Sequence, residues 1–271
     1  MILTTSTLLA ALVLPFLSPA NAVPMQASDV DPTTAKAAGE LATSPIPVHV
    51  PYHTIKHLKN PDRVDTSPIP VPGCHDYVIL DSRGTGEPQG RSFQFAGMIK
   101  KTLAGLPGGI SVSNPYPASW VGNSPAQGSA WLQNYLQQGV ARCPEQKYAV
   151  LGISQGAVVT WNAIGDLGRE DPVYQAIKAV IVEGDPYHVP KLSSNVDEYG
   201  GRQTVTSHGM MRYSYGNIAK YDIDRKMLDI CYSGDFVCND QGHHPMDHGK
   251  YGGTDGVQTM GAQFLISHLR G

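Results

Sequence analysis

The sequence predicts an α/β fold, a three-layer sandwich in which helices cover both faces of a central, mainly parallel sheet of about five strands. Short apolar runs alternate along the chain with segments of helical periodicity, and this alternation is typical of parallel sheets. One apolar run leads directly into Gly152-Ile153-Ser154-Gln155-Gly156, and a helical segment follows. The chain therefore places a serine between two glycines at a strand-to-helix turn.

The strands are predicted from short apolar runs, which are distinguished from helices by their length. These runs cover residues 75–80, 110–113, 147–151, 179–182 and 227–230. The run 179–182 is apolar at every position, which favours a strand that is buried on both faces.

Helices are predicted from apolar residues that recur at helical spacing. They cover residues 93–106, 127–142, 157–164 and 257–269. The first ends at Pro107-Gly108-Gly109, because proline and glycine terminate helices. In the second, Leu132, Tyr135 and Leu136 share one face of the helix.

Residues 1–22 are predicted to be a signal peptide. They contain an apolar core, Leu8 to Leu17, and end in Ala20-Asn21-Ala22, a small-x-small cleavage pattern. The apolar core is too short to span a bilayer. We therefore expect a secreted, extracellular protein without stable membrane insertion. An uncleaved anchor is the alternative.

Residues 23–72 are predicted to be an extended, poorly ordered leader or propeptide. They carry nine prolines and repeat the hexapeptide Thr-Ser-Pro-Ile-Pro-Val, at 43–48 and 66–71. Proline is excluded from helix interiors and central strands, so a packed fold is not expected here. The remaining residues, 73–271, are enough for one catalytic domain with a single core.

The charge balance argues against a nucleic-acid partner. The formal net charge is −3, from 20 Lys and Arg against 23 Asp and Glu, and no basic run appears. Such a chain offers no electrostatic attraction to nucleic acid or to an anionic membrane surface. The sequence has no heptad seam, and we expect a monomer.

Four cysteines behind a predicted secretion signal indicate two disulfides in an oxidising compartment. Four cysteines allow three pairings. A zinc site is the alternative, but these cysteines lack the paired C-x-x-C spacing of zinc sites.

A serine nucleophile needs a base to accept its proton and a carboxylate to orient that base. Downstream of Ser154, the chain supplies Asp235 between two cysteines and His248 before the last helical segment. The order Ser154, Asp235, His248 is that of α/β hydrolases, unlike chymotrypsin or subtilisin. Asp185, after the strand at 179–182, is the rival carboxylate.

The cluster His243, His244, Asp247 and His248 has an alternative interpretation as a set of metal ligands. Serine hydrolysis needs a free imidazole lone pair, which a bound metal would occupy. We therefore predict that the protein uses neither a metal nor any other cofactor. His243 and His244 are expected to be solvated loop residues.

These motifs resemble the cutinase family of secreted serine esterases, and most of all the fungal cutinase-like enzymes. The resemblance rests on Gly234-Asp235-x-Val237-Cys238 with His248-x-x-Tyr251, and further matches lie at 83–90, 116–119 and 256–261. It extends from about Cys74 to the C-terminus. It implies a compact α/β hydrolase that cleaves cutin-like polyesters and short-to-medium acyl esters through an acyl-enzyme.

The resemblance also implies roles for individual residues. It pairs Cys74 with Cys143 and Cys231 with Cys238. It assigns the second oxyanion donor to Thr85, beside the Gln155 amide that follows the nucleophile, although Thr85 could instead be a turn residue.

Trp120 and Val121 match the apolar lip of the cutinase acyl groove, while Trp120 would suit core packing equally well. The segment 239–246, on the opposite lip, is polar where an aliphatic stretch would be expected. This composition puts a preference for long acyl chains in doubt.

Two functional alternatives stand beside a cutinase-type esterase. An acetylxylan esterase shares the fold and the triad. A secreted binding or effector protein would keep the fold without turnover.

Overall fold

The computed structural model describes residues 73–211 and 217–271. The predicted signal peptide, 1–22, and the predicted leader, 23–72, lie outside the described residues. Within the described part, no helix is long and apolar enough to cross a membrane.

The described strands form one sheet in which every neighbouring pair is parallel. They are β1 (Tyr77–Ser82), β2 (Gly109–Ser113), β3 (Lys147–Ile153), β4 (Ile177–Glu183), β5 (Asn195–Val196) and β6 (Met227–Ile230). Their order across the sheet is β2-β1-β3-β4-β6-β5. The described residues thus contain six strands, where the sequence predicted about five. The additional strand, β5, has only two residues and carries no apolar pattern.

The described α-helices are α1 (Ala96–Gly105), α2 (Ser124–Arg142), α3 (Gln155–Ile164), α4 (Pro172–Ala176), α5 (Ala219–Ile223) and α6 (Asp255–Leu269). All four predicted helices are present. Helix α2 begins three residues earlier than predicted, because Pro125 lies in its first turn, where proline is tolerated. The short helices α4 and α5 were not predicted, since each spans little more than one turn.

The two faces of the sheet are covered by different helices. Val78, Leu80 and Val150 point to one side, where they pack against α2 and α3. The alternating residues Ile79 and Leu151 point to the other side and pack against α1 and α6. Because successive side chains of a strand point in opposite directions, one apolar strand contributes to both cores.

Two disulfides join the four cysteines of the sequence. Cys74 is bonded to Cys143, which links the start of β1 to the end of α2. Cys231 is bonded to Cys238 and closes a short loop after β6. These are the pairs that the resemblance implies.

Glu183, at the end of β4, is a buried carboxylic acid inside this core. Its side chain is fully buried, and neither carboxyl oxygen has a hydrogen-bond partner among the described residues. Burial, and to a lesser extent the nearby Glu87, raises the pKa of Glu183 well above its ordinary value of 4.5. The folded protein therefore keeps this proton to higher pH than the unfolded chain does.

This burial makes stability depend on pH. Stability from the bound proton is fully present below about pH 4.5 and is lost as the pH rises toward the folded-state pKa. We therefore expect the difference in melting temperature, Glu183→Gln minus wild type, to be more positive at pH 7.5 than at pH 4.5. Thermal unfolding at both pH values tests this, with Glu145→Gln, an exposed acid, as the control. An equal difference at both pH values would contradict it.

Gly156 lies where α3 approaches the end of β1 most closely. A Cβ atom here would overlap the Ser82 carbonyl group and lie 2.8 Å from the Arg83 carbonyl oxygen. Backbone atoms cannot easily move away, so Gly156→Ala should lower the free energy of unfolding by about 2 kcal/mol or more.

The control is Gly256→Ala, in α6. A Cβ atom at Gly256 would meet nothing within 4 Å, so this change should leave stability unaltered or raise it by up to about 1 kcal/mol. Urea unfolding of both variants gives the comparison. Equal effects would refute the close contact at Gly156.

Candidate active site

Ser154 lies at a sharp, strained turn between β3 and α3. Its φ of 55° and ψ of −118° place a non-glycine residue in left-handed backbone space, at a cost of about 1–3 kcal/mol. The turn is held from two sides: the Ser154 N–H donates to the Glu183 carbonyl oxygen (3.0 Å), and the Ser154 carbonyl accepts from Ala157 N (2.9 Å). This is the geometry of a nucleophile elbow.

Asp235 and His248 form a hydrogen-bonded pair. His248 Nδ1 lies 2.8 Å from Asp235 Oδ2, and the Asp235 side chain is fully buried while that of His248 is 25% exposed. Because an ionised carboxylate only accepts hydrogen bonds, Nδ1 carries the proton in this pair. The other ring nitrogen, Nε2, then keeps its lone pair and is available as a base.

The end of β4 connects this pair to the elbow. Gly184 follows Glu183, whose carbonyl oxygen holds the Ser154 N–H. A Cβ atom at Gly184 would lie 2.8 Å from His248 Nδ1 and 2.9 Å from Asp235 Oδ2. The Asp235–His248 pair therefore lies directly over the strand end to which Ser154 is bonded, and only glycine leaves room for it.

Gln155 and Thr85, the two predicted oxyanion residues, lie side by side. Gln155 Nε2 donates to Thr85 Oγ1 (3.1 Å) and to the Ser119 carbonyl (2.9 Å). As the first residue of α3, Gln155 also has a backbone N–H that the helix leaves free. Since Thr85 Oγ1 accepts from Gln155, its own hydroxyl proton is free to point elsewhere.

The loop that carries Thr85 is held by the buried guanidinium group of Arg83. Arg83 is fully buried and donates to the carbonyl oxygens of Glu87 (Nη1, 2.7 Å) and of Tyr116. The Glu87 carboxylate accepts from Gly84 N (2.6 Å) and Phe93 N (3.0 Å). Sequence reasoning assigned no role to these residues, although Arg83 and Glu87 lie within the motif 83–90.

The segment that carries His248 is braced by two buried glutamines that sequence reasoning missed. Gln94 accepts from Gly252 N through Oε1 (2.7 Å) and donates to the Gly249 carbonyl (3.3 Å). Gln258 donates to the Gln94 carbonyl (2.7 Å) and to the Tyr251 carbonyl (3.0 Å). Except for the Gln258–Tyr251 contact, these hydrogen bonds join residues more than 150 positions apart, and no local pattern signals them.

The rival carboxylate, Asp185, is hydrogen-bonded to residues other than His248. It accepts hydrogen bonds from Trp161 Nε1 (2.7 Å) and Tyr187 N (2.9 Å). Burial, and secondarily the charge of Asp229, raises the pKa of Asp185 to about 7. The buried histidine nearby, His188, pairs with Asp229 (2.7 Å) instead. The arrangement therefore favours Asp235 as the partner of a catalytic histidine.

The other members of the histidine cluster do not converge on one point. His243 and His244 are exposed, and Asp247 forms an ion pair with Lys250 (2.6 Å). Within residues 73–211 and 217–271, no group of three or more His, Cys, Asp or Glu side chains is arranged to hold a metal ion.

Several apolar side chains close in sequence to the site residues are exposed. Trp120 and Val121, next to the Ser119 carbonyl that Gln155 contacts, are 85% and 71% exposed. The core-packing interpretation of Trp120 is therefore wrong. On the His248 side, Phe236 is 43% and Met246 is 79% exposed, so this lip is less polar than the composition of segment 239–246 suggests.

Comparison with known proteins agrees with this geometry. A family model described as Cutinase matches residues 73–269. A cutinase of Trichoderma harzianum is 27% identical over 183 residues, which make up 65% of this chain and 62% of that protein. This chain thus spans less than two thirds of the length of that relative.

Solved structures share the fold. A structure described as a novel cutinase-like protein from Cryptococcus sp. is 36% identical, with a TM-score of 0.67, over 72% of this chain and 95% of that one. The catalytic core of an acetyl xylan esterase from Trichoderma reesei is 23% identical, with a TM-score of 0.58, over 72% and 99% of the two chains; that likeness shows the fold alone. Because the family model covers more than half of the 271 residues, this chain belongs to the cutinase family of α/β hydrolases.

Proposed function

We propose that this protein is a secreted serine esterase of cutinase type, which hydrolyses cutin-like polyesters and short-to-medium acyl esters. The observation that carries the proposal is the placement of the Asp235–His248 pair over the strand end that holds the elbow of Ser154. A strained serine beside a carboxylate-oriented imidazole is the arrangement that nucleophilic ester cleavage requires.

In the first step, His248 Nε2 accepts the proton of Ser154 Oγ while Oγ attacks the ester carbonyl carbon. The negative charge of Asp235 stabilises the imidazolium that forms. The carbonyl oxygen becomes an oxyanion, for which the Gln155 N–H and the amide and hydroxyl of Thr85 are the proposed donors.

In the second step, the imidazolium gives its proton to the leaving alcohol, and the carbon–oxygen bond of the ester breaks. Ser154 is left as an acyl ester. A water molecule then gives a proton to His248 and attacks the acyl carbon. The bond between the acyl carbon and Ser154 Oγ breaks, the imidazolium returns the proton to Oγ, and the carboxylic acid leaves.

The apolar lips support an apolar or polymeric substrate. Large side chains next to site residues are exposed: Trp120 and Val121 follow Ser119, which Gln155 contacts, Phe236 follows Asp235, and Met246 lies two residues before His248. Contact with an acyl chain or a polyester surface would remove their apolar area from water, which is favourable at about 25 cal/mol per Å².

Secretion is supported by the disulfides and by the N-terminal sequence. Both cysteine pairs are oxidised in the structure, and disulfides persist in oxidising compartments. The apolar run followed by Ala20-Asn21-Ala22 is typical of a cleaved signal.

The proposed function is tested by comparing substrates on one preparation of the purified protein. We expect turnover of p-nitrophenyl butyrate and octanoate and release of monomers from a cutin or polyester film. Efficient deacetylation of xylan with no activity on octanoate or film would instead indicate an acetylxylan esterase. No hydrolysis of any ester would indicate a binding protein that keeps the fold.

Ser154→Ala should remove ester hydrolysis without unfolding the protein. The substitution deletes the attacking oxygen, and loss of a triad member typically costs a factor of about 10³ or more in kcat. The control is Ser267→Ala, an exposed serine of α6, which should keep wild-type turnover of p-nitrophenyl butyrate. Retention of more than about a tenth of the activity by Ser154→Ala would contradict the mechanism.

Of the three neighbouring histidines, only His248 should be essential, since it alone contacts the buried Asp235. His248→Ala should lose nearly all turnover, and His243→Ala and His244→Ala should retain most of it. EDTA should leave the wild type unaffected. Inactivation by EDTA, or an equally inactive His243→Ala or His244→Ala, would require another base or a metal.

A further inference from the structure

We propose that Tyr251 is a positioning residue of the active site, whose hydroxyl holds the Asp235 carboxylate in the orientation that His248 needs. The inference rests on the proposed function, because it takes Asp235 and His248 as the acid and base of the triad. The inference adds the buried phenol of Tyr251, which contacts the same oxygen of Asp235 as His248 does.

Tyr251 and His248 contact the same oxygen of the Asp235 carboxylate. Tyr251 Oη donates to Asp235 Oδ2 at 2.6 Å, and His248 Nδ1 lies 2.8 Å from the same oxygen. The other oxygen, Oδ1, accepts from Val237 N at 2.9 Å. Backbone contact thus holds one end of the carboxylate, and Tyr251 holds the end that faces the histidine.

The direction of the Tyr251 hydrogen bond follows from its surroundings. The N–H of Tyr232 donates to Tyr251 Oη at 3.2 Å, and a backbone N–H can only donate. The phenol proton is therefore directed to Asp235. Burial, together with the charge of Asp235 and its hydrogen bond to this hydroxyl, raises the pKa of Tyr251 well above its ordinary value, so the phenol stays protonated.

The hydroxyl is also fixed in place from behind. Tyr251 is fully buried, and its ring packs edge-on against Tyr232, with centroids 4.9 Å apart. Its carbonyl accepts from Gln258, and Gly252 N donates to Gln94. The side chain can therefore act as a rigid support, because neither its backbone nor its ring is free to move away.

Two consequences follow for catalysis. Without the Tyr251 hydroxyl, Val237 N still holds Oδ1, but Oδ2 keeps only its contact with His248 among the described residues, so nothing outside the pair fixes the orientation of that end of the carboxylate. In addition, Asp235 Oδ2 loses a hydrogen bond that draws negative charge from it, so it attracts the proton on His248 Nδ1 more strongly. Imidazolium is then favoured over the neutral base.

The test compares Tyr251→Phe with Tyr232→Phe. Tyr232 belongs to the same aromatic pair, but its hydroxyl contacts Thr254 Oγ1 and not Asp235. For Tyr251→Phe, we expect plateau kcat/KM on p-nitrophenyl butyrate to fall about tenfold. We also expect the midpoint of the acid limb in the pH profile of its kcat/KM to rise by roughly half a pH unit. Tyr232→Phe should retain the wild-type midpoint.

A second measurement does not depend on turnover. The Nδ1 proton of His248, followed by NMR in ¹⁵N-histidine-labelled protein and assigned by its loss in His248→Ala, reports on the Asp235 contact. It should move downfield in Tyr251→Phe and stay in place in Tyr232→Phe. Placing 3-fluorotyrosine at position 251 keeps the shape but makes the phenol a stronger donor, and the resonance should then move upfield.

The outcomes separate this inference from the proposed function. Absence of esterase activity in the wild type overturns the proposed function, whatever the NMR result. An active wild type with an unchanged acid limb and an unmoved Nδ1 resonance in Tyr251→Phe overturns the role of Tyr251. If Tyr251→Phe does not fold, the fluorotyrosine protein decides, and no movement of its resonance overturns the inference.

Discussion

The left-handed backbone of Ser154 is the constraint on which the rest of the site depends. A serine at φ 55° is unfavourable alone, and it persists because β3, α3 and β4 together leave no alternative. The bond from Ser154 N to the Glu183 carbonyl ties the elbow to β4. The next residue, Gly184, leaves space for Asp235 and His248. One strand end therefore positions the proposed nucleophile and the proposed acid–base pair.

Buried and half-buried polar side chains hold the loops around this strand end. Arg83 and Glu87 brace the loop with Thr85, and Gln94 and Gln258 brace the segment with His248. A buried polar group is costly unless it is hydrogen-bonded, and each of these forms several hydrogen bonds. Glu183 differs from them, since neither of its carboxyl oxygens has a partner among the described residues. Such bonds give loops the rigidity that a preorganised oxyanion site requires.

The parts of the fold that local patterns encode were predictable from the sequence. The apolar run 147–151 and the glycines around Ser154 are local signals, and both the strand and the elbow are present. Strand β5 was missed because its two residues depend on pairing with β6. The Gln94–Gln258 contact joins residues 164 positions apart, so only the folded chain reveals it. The exposure of Trp120 likewise depends on which surfaces other elements leave uncovered.

The central claim, that Ser154 is the activated nucleophile, is tested most directly by diethyl p-nitrophenyl phosphate. Its phosphorus should be attacked by Ser154 Oγ with release of one p-nitrophenolate per protein molecule. Peptide mass mapping of the treated protein should then locate a single diethylphosphoryl group on Ser154. A group found on another residue, or none after prolonged treatment of folded protein, would contradict the account.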